Sequence, residues 1–337
     1  MEYKKQKIKV IFFQRKQREL GNFSVEIYFE QVRNNLSNDF LPILRIVPFE
    51  SNGLIRRILN MFYCFFLQGD INHITGDIHY VTLLLKKKKT ILTILDCGIL
   101  HSTSGYKRSI IKLFWFTLPS LKSEVITCIS NSTKMDVINQ IKHNLKKIEV
   151  VYVSISQNFI KNIKPFNKEY PQILQIGTAE NKNLKRLIPA LKDIKCKLVI
   201  VGKIDQNINS LIRENKIDCY NISMKLSEEE LLELYYNSDI VTLVSTIEGF
   251  GMPIIEANTI GRVVIAGSNS SMIEISNNSA CLVDSYNINE IRNGLLKVID
   301  DDNFRLNLIN NGFLNAKQFS IEKIAEQYEK IYKLLLN

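Results

Sequence analysis

No apolar stretch in this chain of 337 residues approaches the roughly 18 to 20 needed to cross a bilayer as a helix, which excludes a helical membrane protein. None of the six cysteines, Cys64, Cys97, Cys128, Cys196, Cys219 and Cys281, stands in a C-x-x-C pair. That argues against a zinc module or a disulfide frame and suits a reducing compartment. Low-complexity tracts and repeats of solenoid length are also missing. No apolar leader precedes the first strand-like segment, because Met1-Glu2-Tyr3-Lys4-Lys5 leads into Ile8-Lys9-Val10-Ile11-Phe12-Phe13; the expected location is cytoplasmic. What is present is a globular composition, 45% apolar and 23% charged, with enough chain for two domains that each hold a core.

The formal charge of +10 is unevenly placed. Residues 1–170 carry 26 Lys and Arg against 13 Asp and Glu, while residues 171–337 carry 18 against 21. A basic first half points to an anionic partner, either a membrane leaflet or a phosphorylated acceptor. Two segments mix bases with large apolar groups, Ile55-Arg56-Arg57 through Phe65-Phe66 and Lys107-Arg108 through Trp115-Phe116. Each fits an amphipathic helix at a lipid interface or a core helix with a basic edge. The Lys86–Lys89 run reads as a solvated turn. Nucleic acid is not an expected partner: no recognised motif occurs, and the aromatics sit in apolar runs rather than between bases.

Strands alternate with helices, which predicts parallel sheets. The first half shows strand patterns near 8–13, 43–47, 71–74, 90–95, 125–129 and 149–153, with helices at 24–36 and 131–141. A polar stretch with Asn158, Lys161, Asn162, Lys164, Pro165 and Pro171 then reads as a linker. The pattern restarts with strands at 172–176, 197–201 and 240–244 and helices at 183–191 and 227–237, the second opened by a Ser227/Glu230 capping box. A last helix carries Ile321, Ile324, Ala325, Tyr328, Ile331, Tyr332 and Leu335 on one face.

The most informative run is Ser245-Thr246-Ile247-Glu248-Gly249-Phe250-Gly251-Met252-Pro253-Ile254-Ile255-Glu256-Ala257. It follows an apolar strand, turns on glycine, and enters a helix with proline at its start. A helix mouth offers unpaired N–H groups and the positive end of the helix dipole, so the amides around Gly251 and Met252 can receive a diphosphate. Glu256 can accept from the cis-diol of a ribose, which leaves Glu248 to face hydroxyls at the other end of the ligand. The turn Arg18-Glu19-Leu20-Gly21 after the first strand has a glycine that lets backbone approach a ligand closely.

This run resembles the Glu-x7-Glu motif of the group 1 (family 4) retaining glycosyltransferases. Gly261 to Ala266, Ser268 to Ile275, and Phe319-Ser320 before the last helix follow the same order. The resemblance covers most of the chain and implies an α/β fold of GT-B type, two Rossmann-like doubly wound parallel-sheet domains facing a cleft. It implies residues 1–165 as an acceptor-binding domain, 166–318 as a nucleotide-sugar-binding domain, and 319–337 as a helix packing back toward the first. Gly177-Thr178-Ala179-Glu180-Asn181-Lys182 resembles the family's basic turn at the donor diphosphate, with Lys182 matching its lysine. The family has an arginine where Thr178 stands; Lys185, Arg186 or Lys203 could supply the missing charge. Asp96 matches a cleft-edge aspartate, yet Leu95 replaces the histidine that precedes it in relatives, with His73, His79 and His101 as alternatives. The segment 221–226 falls where the family holds the base.

These features predict a retaining glycosyltransferase with Glu248, Lys182 and Asp96 as catalytic residues. Donor contacts are expected from Glu256, Phe250, Gly251, Met252, Pro253, Gly177, Thr178, Lys203 and Gly21. No metal is expected, since Asp300–Asp302 lie in a distal turn, and no cofactor beyond the nucleotide-diphosphate sugar itself. The acceptor is expected to be a glycan or lipid-linked glycan of cell-surface polysaccharide synthesis, and the protein cytoplasmic with peripheral contact to an anionic membrane. The departures at Leu95 and Thr178 leave a second expectation, a catalytically impaired nucleotide-sugar-binding partner subunit.

Overall fold

The computed structural model describes residues 6–16, 24–141 and 147–336, with the backbone alone at Ser24. Gly21 and Arg18 lie outside the described residues. The chain divides into two compact units, residues 1–156 with 321–337, and residues 157–320.

Among the described residues the first unit holds six strands: β1 (Ile8–Gln14), β2 (Phe40–Ile46), β3 (Ile71–Thr75), β4 (Thr90–Ile94), β5 (Val125–Cys128) and β6 (Ile148–Val150). They form one parallel sheet in the order β2-β1-β3-β4-β5-β6. β3, β4 and β5 are buried at every position. β4 and β5 therefore read as largely apolar runs, while β3 also buries the polar Asn72, His73 and Thr75. The terminal helix Ile321–Leu334 belongs to this unit and packs Ile324, Tyr328 and Tyr332 against Val10, Phe12 and Phe29. Tyr332 is hydrogen-bonded through its hydroxyl to Nδ1 of the buried His73 at 2.8 Å, and His73 Nε2 meets Thr93 Oγ1 at 2.7 Å. Both ring nitrogens are therefore satisfied, and burial pushes the His73 pKa down to about 3.

The second unit holds β7 (Gln172–Ile176), β8 (Lys197–Val201), β9 (Asp218–Ile222), β10 (Ile240–Leu243), β11 (Val263–Gly267) and β12 (Ala280–Val283). Its parallel sheet runs β12-β11-β10-β7-β8-β9. The chain starts in the middle of the sheet at β7, builds outward to β9, and returns to β10 on the other side. The ends of β7 and β10 therefore flank the point where strand order reverses, the place where open α/β sheets take ligands.

This unit starts at residue 157, ahead of residue 166 as read from the polar stretch. The stretch is fastened to the second sheet through distant partners: Asn162 N donates to Ile260 O at 3.0 Å, Arg262 donates to Asn162 O at 2.6 Å, and Lys164 pairs with the buried Asp239 at 2.9 Å. The helix Glu228–Asn237 opens with the expected reciprocal capping box of Ser227 and Glu230. Asp301 caps the helix Asp302–Ala316, so the acidic turn after residue 299 serves as a helix start.

Candidate active site

At the reversal point the loops after β7 and β10 are laced together. Thr246 N donates to Asn181 O at 2.8 Å, and Asn181 Nδ2 donates to Ile247 O at 3.0 Å. Asn183 sits in the left-handed region at φ 63° and sends Nδ2 to Val244 O and Ser285 O at 2.9 and 2.7 Å. These bonds hold the turn that carries Lys182. Its Nζ lies 2.6 Å from Glu248 Oε1, with side-chain exposures of 20% and 13%, so the pair is largely shielded from solvent. The lysine stem crosses over Gly177 so closely that a Cβ there would stand 3.0 Å from Lys182 Cε. Gly177 also takes φ +90°, which L side chains rarely adopt.

Glu248 is steadied from the far side. Its backbone N donates to Ser270 Oγ at 3.1 Å, while Ser271 Oγ donates to Glu248 O and Phe250 O at 2.9 and 2.8 Å. Gly251, at φ +108°, turns the chain into the helix Met252–Ile260, whose start is capped by no side chain. The first amides are thus available to an anion. Phe250 is buried, with its ring 5.9 Å from that of Phe319, and Pro253 is buried in the first helical turn.

Glu256 lies one turn into that helix, partly buried, and accepts a hydrogen bond on Oε2 from the Tyr235 hydroxyl. Burial raises its pKa to about 7; Glu228 adds to the rise, while the Tyr235 bond and the charge of Lys182 oppose it. Lys182 is therefore within electrostatic reach of both glutamates. Tyr235 has its own titration pushed well up by burial and by Glu256, so it remains a donor across the physiological range. Tyr235 is fully buried, edge-on to Phe159, and its carbonyl accepts from Arg262 Nε at 3.0 Å.

The structure thus brings Gly177, Lys182, Glu248, Phe250, Gly251, Met252, Pro253 and Glu256 to one edge of the second sheet. Thr178 packs where a side chain at Gly202 would fall, 2.9 Å from its Cγ2, which places the turn with the exposed Lys203 alongside. The supporting residues Asn181, Asn183, Tyr235, Ser270 and Ser271 were not anticipated. Only Asn183, an asparagine at a helix start, carried a sequence signal.

Asp96 lies in the first unit, exposed, and its Oδ1 accepts from Gly98 N at 2.7 Å at the start of a short helix. Of the two buried histidines, His79 feels the charge of Asp96, though burial is the larger influence and holds its pKa down. His73 is locked between Tyr332 and Thr93, and His79 Nδ1 is hydrogen-bonded to Trp115 O at 2.7 Å. His101 faces Asp136 at 3.5 Å.

Two parallel six-stranded units, the second with this strand-end site, have the architecture of the GT-B fold. Anabaena HepE in complex with UDP-glucose superposes with a TM-score of 0.79 at 14% identity over 97% of this chain and all of that one. The family model "Glycosyl transferases group 1" matches residues 156–314 of this chain. Among curated relatives, an uncharacterized glycosyltransferase of Methanocaldococcus jannaschii is 28% identical over 263 residues, 76% of this chain and 72% of that one. The Campylobacter jejuni N,N'-diacetylbacillosaminyl-diphospho-undecaprenol alpha-1,3-N-acetylgalactosaminyltransferase is 28% identical over 207 residues, 59% of this chain and 54% of its own length.

Proposed function

We propose that the chain takes a sugar from a nucleoside-diphosphate donor seated on the second unit and passes it to a glycan or lipid-linked glycan, with retention of anomeric configuration and without a metal. The observation that carries this reading is the Lys182–Glu248 pair at the strand-order reversal, beside an uncapped helix mouth. When the bond from the anomeric carbon to the diphosphate breaks, its electron pair goes to a phosphate oxygen. Lys182 and the amides of Gly251 and Met252 supply fixed positive charge there, the kind of stabilisation that commonly contributes most to rate. Glu248 is then placed to orient sugar hydroxyls, and ionised Glu256 to accept from the ribose diol. The Campylobacter relative, named for a diphospho-undecaprenol-linked acceptor, supports a lipid-linked acceptor.

The test is a thermal-shift panel of nucleotide sugars followed by a transfer assay with the donor that raises Tm most. A stabilising donor whose diphosphate is released on adding a lipid-linked acceptor supports the reading; a panel with no shift contradicts it. The sealing of His73 and His79 inside the first unit favours one further reading, a subunit that binds donor but turns it over poorly. That reading predicts stabilisation by the nucleotide with no release of diphosphate.

A further inference from the structure

The helix Leu54–Phe66 is inside out. Its two buried residues are Cys64 and the polar Asn60, whose side chain is consumed by Phe49 N, Phe49 O and the Tyr80 hydroxyl at 3.1, 2.8 and 3.0 Å. Its outward side is apolar instead: Leu54, Ile55 and Phe66 are 71%, 74% and 76% exposed, with Leu59, Phe62 and Phe65 also exposed between them. Single exposed apolar residues need no explanation, but a helix that presents seven on one short stretch, Ile58 included, marks a contact surface. The alternative of a core helix with a basic edge is therefore overturned for this segment, because the apolar groups point away from the core.

The second segment singled out by its bases and aromatics lies against this helix. The Arg57 guanidinium stacks over the Trp115 ring at 4.5 Å, and Tyr80 sits 5.2 Å from the same ring. The helical stretch from Gly105 to Thr117 exposes Tyr106, Ile110, Leu113 and Phe114 together with Lys107 and Arg108. Bases outnumber acids in the chain around these segments. Residues 51–123 contain ten Lys and Arg against three acids, Asp70, Asp77 and Asp96. Each of those acids is engaged within the fold, by Lys9 N, Arg15 and Gly98 N respectively.

We infer that this face of the first unit docks on an anionic bilayer, with the aromatics at the boundary between headgroups and acyl chains and the bases over the lipid phosphates. Apolar burial and attraction to anionic headgroups are the two contributions that hold an amphipathic helix in an interface. A protein partner would answer the apolar surface, but the excess of bases around it favours lipid. The inference goes beyond the transfer reading and does not use the donor site, so it is tested with no nucleotide sugar present.

The experiment is sedimentation of the full chain with vesicles of phosphatidylcholine alone or mixed with phosphatidylglycerol, at low and high salt. The wild type is expected to pellet with the mixed vesicles, less so with added salt. The triple variant Leu54→Ser, Ile55→Ser, Phe66→Ser is expected to lose more than about tenfold in vesicle affinity, since these groups contribute by burial. Its three sites are largely in solvent, so its Tm should match the wild type, and any donor-induced shift should persist. Lys107→Gln with Arg108→Gln should remove much of the preference for phosphatidylglycerol. Wild-type chain that stays in the supernatant with every vesicle, or a triple variant that pellets equally, overturns the inference. So does a wild-type dimer that ignores vesicles and becomes monomeric in the triple variant, which would assign the face to a second copy of the chain.

Discussion

Lys182 Nζ and Glu248 Oε1 are separated by 66 residues in sequence and 2.6 Å in space, and the contact joins the loops that follow β7 and β10. The pair places a cation at the edge of the sheet before any ligand arrives. Lys182→Ala is expected to lower kcat/KM for transfer by about a hundredfold, as a charged hydrogen bond of roughly 1.5 to 3 kcal/mol disappears from the departing phosphate. Steady-state kinetics at saturating acceptor check this. Wild-type rates in the variant would remove Lys182 from the mechanism.

Gly177 governs where that lysine lies. Alanine at this position would meet Lys182 Cε and Cγ at 3.0 and 3.2 Å while holding φ at +90°. Gly177→Ala is expected to cost about 1 to 2 kcal/mol of stability and to raise the donor KM by about tenfold, because the stem of Lys182 must move. Chemical denaturation and donor titration measure the two effects separately.

Burial keeps a proton on Glu256, and the Tyr235 hydrogen bond opposes it. The Glu256 pKa near 7 lies above the unfolded value of 4.5, so the folded state holds the extra proton between those limits and stability falls as pH rises through that window. Donor affinity should move the opposite way, increasing from about pH 6 to about pH 8 as the carboxylate that accepts from the ribose ionises. Tyr235→Phe removes a hydrogen bond that favours the ionised form, so the midpoint of the donor-affinity profile should shift to higher pH. A donor Kd that is flat with pH in both proteins would separate Glu256 from the ligand.

His73 makes the first unit acid-sensitive. Its pKa is about 3 folded against 6.5 unfolded, so the unfolded chain binds the proton first as pH falls below 6.5. The stability contribution is complete above that value and is lost at about 1.4 kcal/mol per pH unit below it. His73→Gln should flatten this dependence in denaturant titrations between about pH 6.5 and pH 5, at some loss of stability at neutral pH from imperfect contacts to Tyr332 and Thr93.

What was legible in the sequence depended on how local its cause was. β7 and β8 stand at the expected residues because buried parallel strands are short apolar runs rich in branched side chains, and the Ser227 helix start follows from a bond three residues long. The glycine turn at Gly251 and the helix after it were readable for the same reason. β9 was not: Asp218-Cys219-Tyr220-Asn221-Ile222 is a half-exposed edge strand with no apolar run to mark it. The start of the second unit depends on Arg262 reaching Asn162 across 100 residues. The state of Glu256 depends on a tyrosine 21 residues upstream on another helix. The segment from Leu54 to Phe66 fitted two opposite orientations, and only the packing of Asn60 shows which side faces inward.

The most direct measurement is a crystal structure with uridine diphosphate, or with the nucleotide sugar that raises Tm most, soaked to saturation. The account predicts the diphosphate between Lys182 Nζ and the backbone N–H groups of Gly251 and Met252, with the ribose hydroxyls on Glu256. A nucleotide bound anywhere other than the ends of β7 and β10, or a site empty at saturation, would contradict it.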